Sequence, residues 1–271
     1  HQDLPAFCAA YQEKIDKVLA QPLLFICGPP KSGTTWLQFL LDGHPEVQCA
    51  GEGHFTDWLG DPLYALLTRY HENMQQVNGL IYGERASYTE PLRRRDVQFL
   101  TRTAIGMMLS KLTLKPGIKW LGDKTPLYIQ RLSFLRIAFP SSRFICIIRD
   151  PRDACVSVLS QAQQMRDHDL GSAAHNPPDE IIRRFLTSWK KSIAEMIQFQ
   201  DQYPGRMHQL RYEDIHAKPE ATIAEMLRFL EVDTSAEAIK SCRESGDFKQ
   251  LGGGRNAGEE DATSFFRKGI V

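Results

Sequence analysis

The sequence of 271 residues has no run of about 18 apolar residues, the length that a membrane-spanning helix requires. Its first twenty residues lack the basic flank and apolar stretch of a secretory signal, because they carry acidic residues and an early proline. An excess of either charge is also missing, since 33 Lys and Arg residues balance 33 Asp and Glu residues. We therefore expect no membrane span, no export signal and no general attraction to nucleic acid.

Paired cysteines are absent as well, since the six cysteines contain no Cys-x-x-Cys motif and are scattered along the chain. This pattern predicts reduced, buried thiols and a cytoplasmic location. The eight histidines show no paired spacing with cysteines or carboxylates, so we expect no metal site. The cysteines are Cys8, Cys27, Cys49, Cys146, Cys155 and Cys242.

Short apolar runs alternate with segments of helical spacing along the chain. Strands are predicted at 23–27, 144–148 and 207–210, and helices at 11–20, 34–42, 97–112, 152–164, 179–201, 218–231 and 235–245. This alternation predicts an α/β fold in one domain, residues 1–271, with a mainly parallel central sheet flanked by helices. Ligands bind such sheets at the carboxyl ends of the strands, which directs attention to the loops after Cys27 and Ile148.

Two polar segments lie outside this alternation. Residues 164–178 are rich in polar residues and proline, which predicts a mobile flap. Residues 252–271 begin with three glycines and have little periodicity, so order there requires a ligand or a surface. We expect this tail to cover a cofactor.

The loop after the first predicted strand reads Gly-Pro-Pro-Lys-Ser-Gly-Thr-Thr-Trp over residues 28–36. Glycines and a helix N-terminus favour anion binding, and side-chain donors of the loop add to it. The nucleoside-triphosphatase pattern places a lysine directly after the second glycine, whereas Lys31 precedes Gly33 here. The loop therefore indicates an anion site and points away from an ATPase.

Residues 30–36 resemble the 5′-phosphosulfate loop of sulfotransferases, particularly of their cytosolic branch. The resemblance implies that the loop binds 3′-phosphoadenosine 5′-phosphosulfate (PAPS), whose product is PAP. The resemblance implies that this end of the cofactor is bound by Lys31, Ser32, Gly33, Thr34, Thr35 and Trp36.

Two further segments resemble the same family. Residues 148–157 are similar to its 3′-phosphate segment, which implies that Arg149 and Ser157 contact that phosphate. Residues 265–269 resemble the Arg-Lys-Gly motif near the C-terminus of the cytosolic branch. This resemblance implies that Arg267, Lys268 and Gly269 bind a phosphate of the cofactor. Tyr212 and Phe248 match the family as residues that pack on adenine with Trp36, although each aromatic could equally belong to the core.

Sulfuryl transfer requires a base for the acceptor, a cation for the leaving oxygen and donors for the sulfuryl oxygens. Lys31 and Lys124 are the predicted cations. No histidine follows Lys124 as in the cytosolic branch, but residues 44–58 resemble the heparan-sulfate branch. That resemblance implies Glu52 as the general base, with His54 and Asp57 supporting it.

The resemblance implies sulfuryl transfer to a hydroxyl, less readily an amine, on a small-molecule, lipid, polyketide or carbohydrate acceptor. Two alternatives stay open at this point. One is a P-loop kinase that uses ATP, and the other is a nonenzymatic PAP-binding module, such as a domain of a larger protein. A nonenzymatic module would need neither Glu52 nor Lys124.

Overall fold

The computed structural model describes residues 3–85, 88, 90–168, 176–256 and 258–259. These residues form two compact units. One unit consists of the segments His1–Gln21, His54–Thr113 and Ser133–Ser141, and the other of Pro22–Gly53, Leu114–Leu132 and Ser142–Val271. We refer to them as the helical unit and the sheet unit.

The sheet unit is built on five parallel strands. In chain order they are β1 (Leu23–Cys27), β2 (Val47–Cys49), β3 (Trp120–Lys124), β4 (Arg143–Ile148) and β5 (Met207–Arg211), and their order in the sheet is β2-β3-β1-β4-β5. Ile26 pairs with Lys124 and Cys27 with Cys146, so the carboxyl ends of β1, β3 and β4 lie at one edge. The predicted parallel α/β fold is confirmed.

Seven of the helices correspond to segments that the sequence predicts as helical. In chain order the helices are α1 (Leu4–Leu19), α2 (Thr34–Asp42), α3 (Asp61–Tyr82), α4 (Arg94–Leu109), α5 (Leu132–Ala138), α6 (Pro151–Asp167), α7 (Pro178–Gln202), α8 (Tyr212–Ala217), α9 (Pro219–Leu230), α10 (Ala236–Ser245) and α11 (Phe248–Leu251). Of these, α3, α5, α8 and α11 were not predicted. Single turns of 3₁₀ helix occupy Gly83–Arg85 and Pro126–Gln130, and a π-helical turn occupies Phe55–Gly60.

The core of the sheet unit lies between the sheet and its helices. All five residues of β1 are buried, as expected for a central parallel strand. One cluster joins Leu24 and Ile26 of β1 to Leu37 of α2 and Met226 of α9. This packing fixes α2 directly behind the end of β1.

The helical unit contains α1, α3 and α4. Gly106 of α4 allows α1 to approach, because a Cβ atom there would lie 2.8 Å from Ile15 and 2.9 Å from Leu19. Arg102 of α4 donates from Nη1 to the carbonyl oxygen of Ala138 at 2.6 Å. Within the described ranges, no helix is long and apolar enough to cross a membrane.

Several boundaries and one cysteine prediction need correction. Helix α1 begins at Leu4 rather than at residue 11, because a proline is favourable in a first turn. Helix α6 runs to Asp167, so the start of the predicted flap is helical, and residues 169–175 of that flap lie outside the described residues. The cysteines are free, but Cys8 is exposed and Cys155 is only partly buried. The extent of a single domain over 1–271 stays a prediction.

Candidate active site

At two positions, the loop that joins β1 to α2 has a backbone and surroundings that only glycine tolerates. A Cβ atom at Gly28 would lie 2.2 Å from the carbonyl oxygen of Ile147. Gly33 has a φ of 93°, and a Cβ atom there would lie 2.6 Å from the Tyr212 ring. Lys31 also adopts a left-handed backbone, with a φ of 67°. The tight turn brings the chain to the N-terminus of α2, where unpaired amides favour an anion.

This loop borders a cavity of about 900 Å³ in the sheet unit. The predicted cofactor residues that line it are Lys31, Gly33, Thr34, Thr35, Trp36, Arg149, Ser157, Tyr212 and Phe248. Glu52 lines it as well, whereas Ser32 does not. Ser32 is fully buried, and its Oγ has no hydrogen-bond partner among the described residues. Segments that lie far apart in the sequence therefore meet at one cavity.

Arg149 and Ser157 reach the cavity from β4 and α6. Asp150 caps α6 by accepting a hydrogen bond from the backbone amide of Arg152 at 2.8 Å. Hydrogen bonds from the Arg152 side chain and amide lower the pKa of Asp150 to about 2. The Arg149 guanidinium lies 4.4 Å from the centre of the Tyr212 ring, and its buried Nε has no hydrogen-bond partner within the described ranges. A half-buried guanidinium with one buried, unused donor fits an anionic ligand.

Trp36, Tyr212 and His216 form an aromatic wall of the cavity. Trp36 stacks on His216 with ring centres 4.7 Å apart, and Tyr212 meets both rings edge-on. The Trp36 indole donates to the carbonyl oxygen of Gly246 at 2.8 Å, which fixes the orientation of its ring. Burial raises the pKa of Tyr212. Burial, followed by the charge of Arg149, lowers the pKa of His216.

His216 was missed by the sequence analysis. The Arg-Tyr-Glu-Asp segment draws attention to Tyr212, but a histidine four residues later carries no motif of its own. The helical spacing of Tyr212 and His216 in α8 was the signal that could have identified it, because residues four apart share one helix face.

Glu52, Lys124 and Thr35 form a connected group. Lys124 is only 2% exposed, and its Nζ donates to the Thr35 hydroxyl at 2.9 Å and pairs with the Glu52 carboxylate. Glu52 is 39% exposed and lines the cavity. The pair thus links the β1–α2 loop to the segment after β2. Glu52 lines the cavity, whereas Lys124 lies behind the lining and reaches it through Glu52 and Thr35.

Strand pairing explains how Glu52 reaches Lys124. The chain beyond β2 continues beside β3, with hydrogen bonds from Ala50 to the Gly122 carbonyl at 2.8 Å and from Lys124 to the Gly51 carbonyl at 2.7 Å. Asp123 then holds the next residue, because its carboxylate accepts from the Gly53 amide at 3.1 Å. Glu52 is consequently held between two anchored neighbours.

His54 belongs to the helical unit and is described there by itself. Its Nδ1 lies 2.8 Å from Oδ2 of Asp57, and its ring stacks on Trp58 with centres 3.7 Å apart. The backbone of His54 is left-handed, with a φ of 46°. The histidine and the aspartate that were predicted to act together are therefore in contact.

The remaining predicted cofactor residues, Arg267, Lys268 and Gly269, lie outside the described residues. Their binding of a cofactor phosphate stays a prediction. In the described part of the chain, no group of three or more His, Cys, Asp or Glu side chains could hold a metal ion.

Comparison with known proteins assigns this arrangement to a family. The model of the Sulfotransferase family matches residues 22–236, which is most of the chain. The chain belongs to the sulfotransferase family. The predicted family membership is therefore confirmed, and the matched range of this sulfotransferase includes the β1–α2 loop, Glu52, Lys124 and Arg149.

The curated relatives of this sulfotransferase include protein-tyrosine sulfotransferases. Protein-tyrosine sulfotransferase 1 of Danio rerio is 26% identical over 213 residues, covering 78% of this chain and 53% of the relative. The protein-tyrosine sulfotransferase of Drosophila melanogaster is 27% identical over 214 residues, covering 78% of this chain and 38% of the relative. The chain thus spans about half the length or less of these two relatives.

Solved structures share the fold of this sulfotransferase. Sulfotransferase STF9 of Mycobacterium avium matches with a TM-score of 0.57 and 15% identity, covering 97% of this chain and 77% of that chain. Mouse sulfotransferase SULT7A1, solved in complex with PAP, matches with a TM-score of 0.54 and 17% identity, covering 96% and 81%.

The predicted cytoplasmic location is wrong. It rested on the scattered, unpaired cysteines. The curated relatives are instead protein-tyrosine sulfotransferases, which act in the Golgi lumen and not in the cytoplasm. Free, buried cysteines therefore do not identify a compartment, because burial alone keeps a thiol unreactive.

Proposed function

We propose that this sulfotransferase transfers a sulfuryl group from PAPS to an acceptor hydroxyl, with Glu52 as the general base. One observation carries the proposal: the contact of Glu52 with Lys124, which itself contacts Thr35 of the β1–α2 loop. Glu52 and the glycine-bounded anion loop line one cavity. The buried Lys124 lies behind that lining and contacts both Glu52 and Thr35. Base, cation and donors are the groups that sulfuryl transfer requires.

The residues around the cavity fit a nucleotide with anionic groups at two positions. At one position the β1–α2 loop offers Lys31, Thr34 and Thr35. At the other, Arg149 and Ser157 line the wall, and the buried Nε of Arg149 has no protein partner within the described residues. Trp36 and Tyr212, whose rings meet edge-on, provide aromatic surfaces against which a base can pack. A nucleotide with a single phosphate group would leave one of these positions without a partner.

In the proposed reaction PAPS supplies an activated sulfuryl group. The acceptor oxygen forms a bond to sulfur while the bond from sulfur to the 5′-phosphate oxygen breaks, and the acceptor proton passes to Glu52. Lys31 and Lys124 stabilise the negative charge that develops on the leaving and sulfuryl oxygens. Thr35 holds the ammonium of Lys124 in place. The names of the curated relatives make the tyrosine hydroxyl the first acceptor to test.

The experiment that tests this proposal is the replacement Glu52→Gln, which keeps the shape of the side chain and removes its basic oxygen. We expect single-turnover sulfation of a tyrosine peptide to fall by about 10²- to 10⁴-fold, the usual contribution of a positioned base, while PAP affinity stays within a few fold. Calorimetric titration with PAP and transfer of labelled sulfate measure the two quantities.

Glu46→Gln is the matched control. Glu46 is also a carboxylate paired with a lysine, because Lys119 Nζ lies 2.7 Å from it, but it precedes β2 and does not line the cavity. Its turnover should equal that of the unaltered chain. Undiminished turnover of Glu52→Gln would remove Glu52 from the role of base. Binding of PAP without turnover in the unaltered chain would instead favour a nonenzymatic PAP-binding module.

A further inference from the structure

We propose that Glu213 is a positioning residue for the 3′-phosphate of the nucleotide. It acts through Arg149, because it fixes the turn between β4 and α6 from which the Arg149 side chain extends. The inference rests on the proposed function, since it takes Arg149 and Ser157 as the groups that hold the 3′-phosphate. Part of the preference for PAP over 5′-AMP would then depend on a carboxylate that does not line the cavity.

The pairing of β4 with β5 brings Glu213 beside this turn. Ile148, the last residue of β4, pairs with Arg211, the last residue of β5. Both chains leave the sheet at the same edge, so Asp150 and Glu213 each lie two residues beyond a paired position. The Asp150 backbone amide donates a hydrogen bond to Oε1 of Glu213 at 2.9 Å. The turn after β4 is thereby tied to the start of α8.

This hydrogen bond restrains the backbone of Arg149. The amide nitrogen of Asp150 and the Cα atom of Arg149 belong to one planar peptide group, so an acceptor for the amide restricts the rotation of that group. Asp150 also caps α6, and Ser157 lies about two helical turns further on. One contact therefore influences the positions of both predicted 3′-phosphate residues.

Tyr212, the neighbour of Glu213 in α8, holds the other end of Arg149. The guanidinium lies 4.4 Å from the centre of the Tyr212 ring, within the range of a cation–π contact. Glu213 thus restrains the backbone end of Arg149 and Tyr212 restrains its charged end. A cation that is oriented in advance loses less conformational freedom when an anion binds, which raises the affinity for that anion.

The other contacts of Glu213 contribute little to the stability of the fold. Its Oε2 lies 3.6 Å from Nε of Arg211, whose side chain is 61% exposed, and such exposed ion pairs are weak. The same oxygen is buried and has no hydrogen-bond partner among the described residues, which is unfavourable. The hydrogen bond from the Asp150 amide is therefore the strongest contact of this carboxylate in the described part of the chain.

Two conservative variants separate the hydrogen bond of Glu213 from its charge. Glu213→Gln keeps an acceptor oxygen at the same reach and removes the charge. Glu213→Asp keeps the charge, but its side chain is shorter by one carbon–carbon bond, about 1.5 Å, so it cannot make the 2.9 Å contact in this geometry. A positioning role requires the hydrogen bond, whereas a purely electrostatic role requires the charge.

The test is calorimetric titration of Glu213→Ala, Glu213→Asp and Glu213→Gln with PAP and with 5′-AMP. We expect the alanine and aspartate variants to lose about three- to tenfold in PAP affinity, the range for one hydrogen bond, and to keep their 5′-AMP affinity within about twofold. Glu213→Gln should keep its affinity for both nucleotides. The ratio of the two affinities is informative because a general loss of structure would weaken both ligands.

Glu46→Ala is the matched control. Oε2 of Glu46 also accepts from a distant backbone amide, that of Asp233 at 2.9 Å, but Glu46 does not line the cavity or contact the turn after β4. This variant should keep the full preference for PAP.

The unaltered chain distinguishes the two ways in which the inference can fail. No preference for PAP in that chain would overturn the position of the 3′-phosphate and the role of Glu213 together. A normal preference there that persists in Glu213→Ala and Glu213→Asp would overturn the role of Glu213 alone. A preference that is lost in Glu213→Gln and kept in Glu213→Asp would overturn it as well, and this comparison holds even if Glu213→Ala does not fold.

Discussion

The β1–α2 loop and Glu52 line the same cavity, and Lys124 contacts both from behind, but the loop and the Glu52–Lys124 pair arise in different ways. The loop is local, because its shape follows from Gly28, Gly33 and the start of α2 within a few residues. The pair joins residues 72 positions apart and exists because the chain after β2 continues along β3. The loop therefore follows from a local sequence motif, whereas the Glu52–Lys124 contact depends on the pairing of strands in the sheet.

The largest effect on turnover should come from disrupting the Glu52–Lys124 pair. Lys124→Met keeps the length of the buried stem but removes the ammonium that contacts Glu52 and Thr35. We expect turnover to fall by about 10²- to 10³-fold, as for the loss of a preorganised charge, while PAP binding is largely retained. Lys119→Met, which removes a surface lysine paired with Glu46, is the control. Equal turnover in both variants would show that the Glu52–Lys124 pair is not part of the chemistry.

A substitution in the β1–α2 loop should instead lower PAP affinity and thermal stability. Gly33→Ala forces a Cβ atom to within 2.6 Å of the Tyr212 ring at a backbone angle that favours glycine. We expect PAP affinity to fall at least about tenfold and the melting temperature to decrease, because strain of about 1–2 kcal/mol adds to the steric conflict.

Gly117→Ala separates these two causes. Gly117 has a φ of 74°, but nothing lies within 4 Å of the position of its added Cβ atom. This control should lose some stability and keep its full PAP affinity. If Gly33→Ala behaved like Gly117→Ala, the close approach of Tyr212 to the loop would have no role in binding.

The smallest predicted effect is on the pH dependence of the free energy of unfolding, through His216 of the aromatic wall. Burial lowers the pKa of His216 in the folded chain, so the unfolded chain binds the proton more readily. Stability from this group is therefore present above the unfolded pKa of about 6.5 and is lost as the pH falls below it. His208, whose pKa burial also lowers, adds to the same trend.

His216→Asn should make the free energy of unfolding less dependent on pH in this acidic range, as measured by urea titration at several pH values. His208→Asn should flatten the same curve independently, because the two histidines do not share partners in the described contacts. An unchanged slope in His216→Asn would mean that the ring is already solvated in the free protein.

The sequence predicted what rests on local pattern. The strands at 23–27 and 144–148 are continuous apolar runs between turn residues, and their helices have clear apolar spacing, so both were found. Strand β3 was not found, because Gly122, Asp123 and Lys124 have low preference for strands. Those residues lie in a buried strand because they pair with β1 and β2, and this long-range pairing has no local sequence pattern.

The candidate site divides in the same way. Lys31, Arg149 and Tyr212 could be named from motifs, and the structure brings them to one cavity. The contact between Glu52 and Lys124 could not be derived from spacing, since it depends on the register of β2 against β3. Helix α3 was missed because its large apolar residues are spread over more than one face and many of them are exposed.

Calorimetric titration of the chain with PAP and with 5′-AMP tests the central claim most directly, because the two ligands differ only in the 3′-phosphate. PAP should bind at least about tenfold more tightly, since Arg149 and Ser157 would hold the phosphate that 5′-AMP lacks. Equal affinity for the two nucleotides would mean that the cavity has no separate position for a 3′-phosphate.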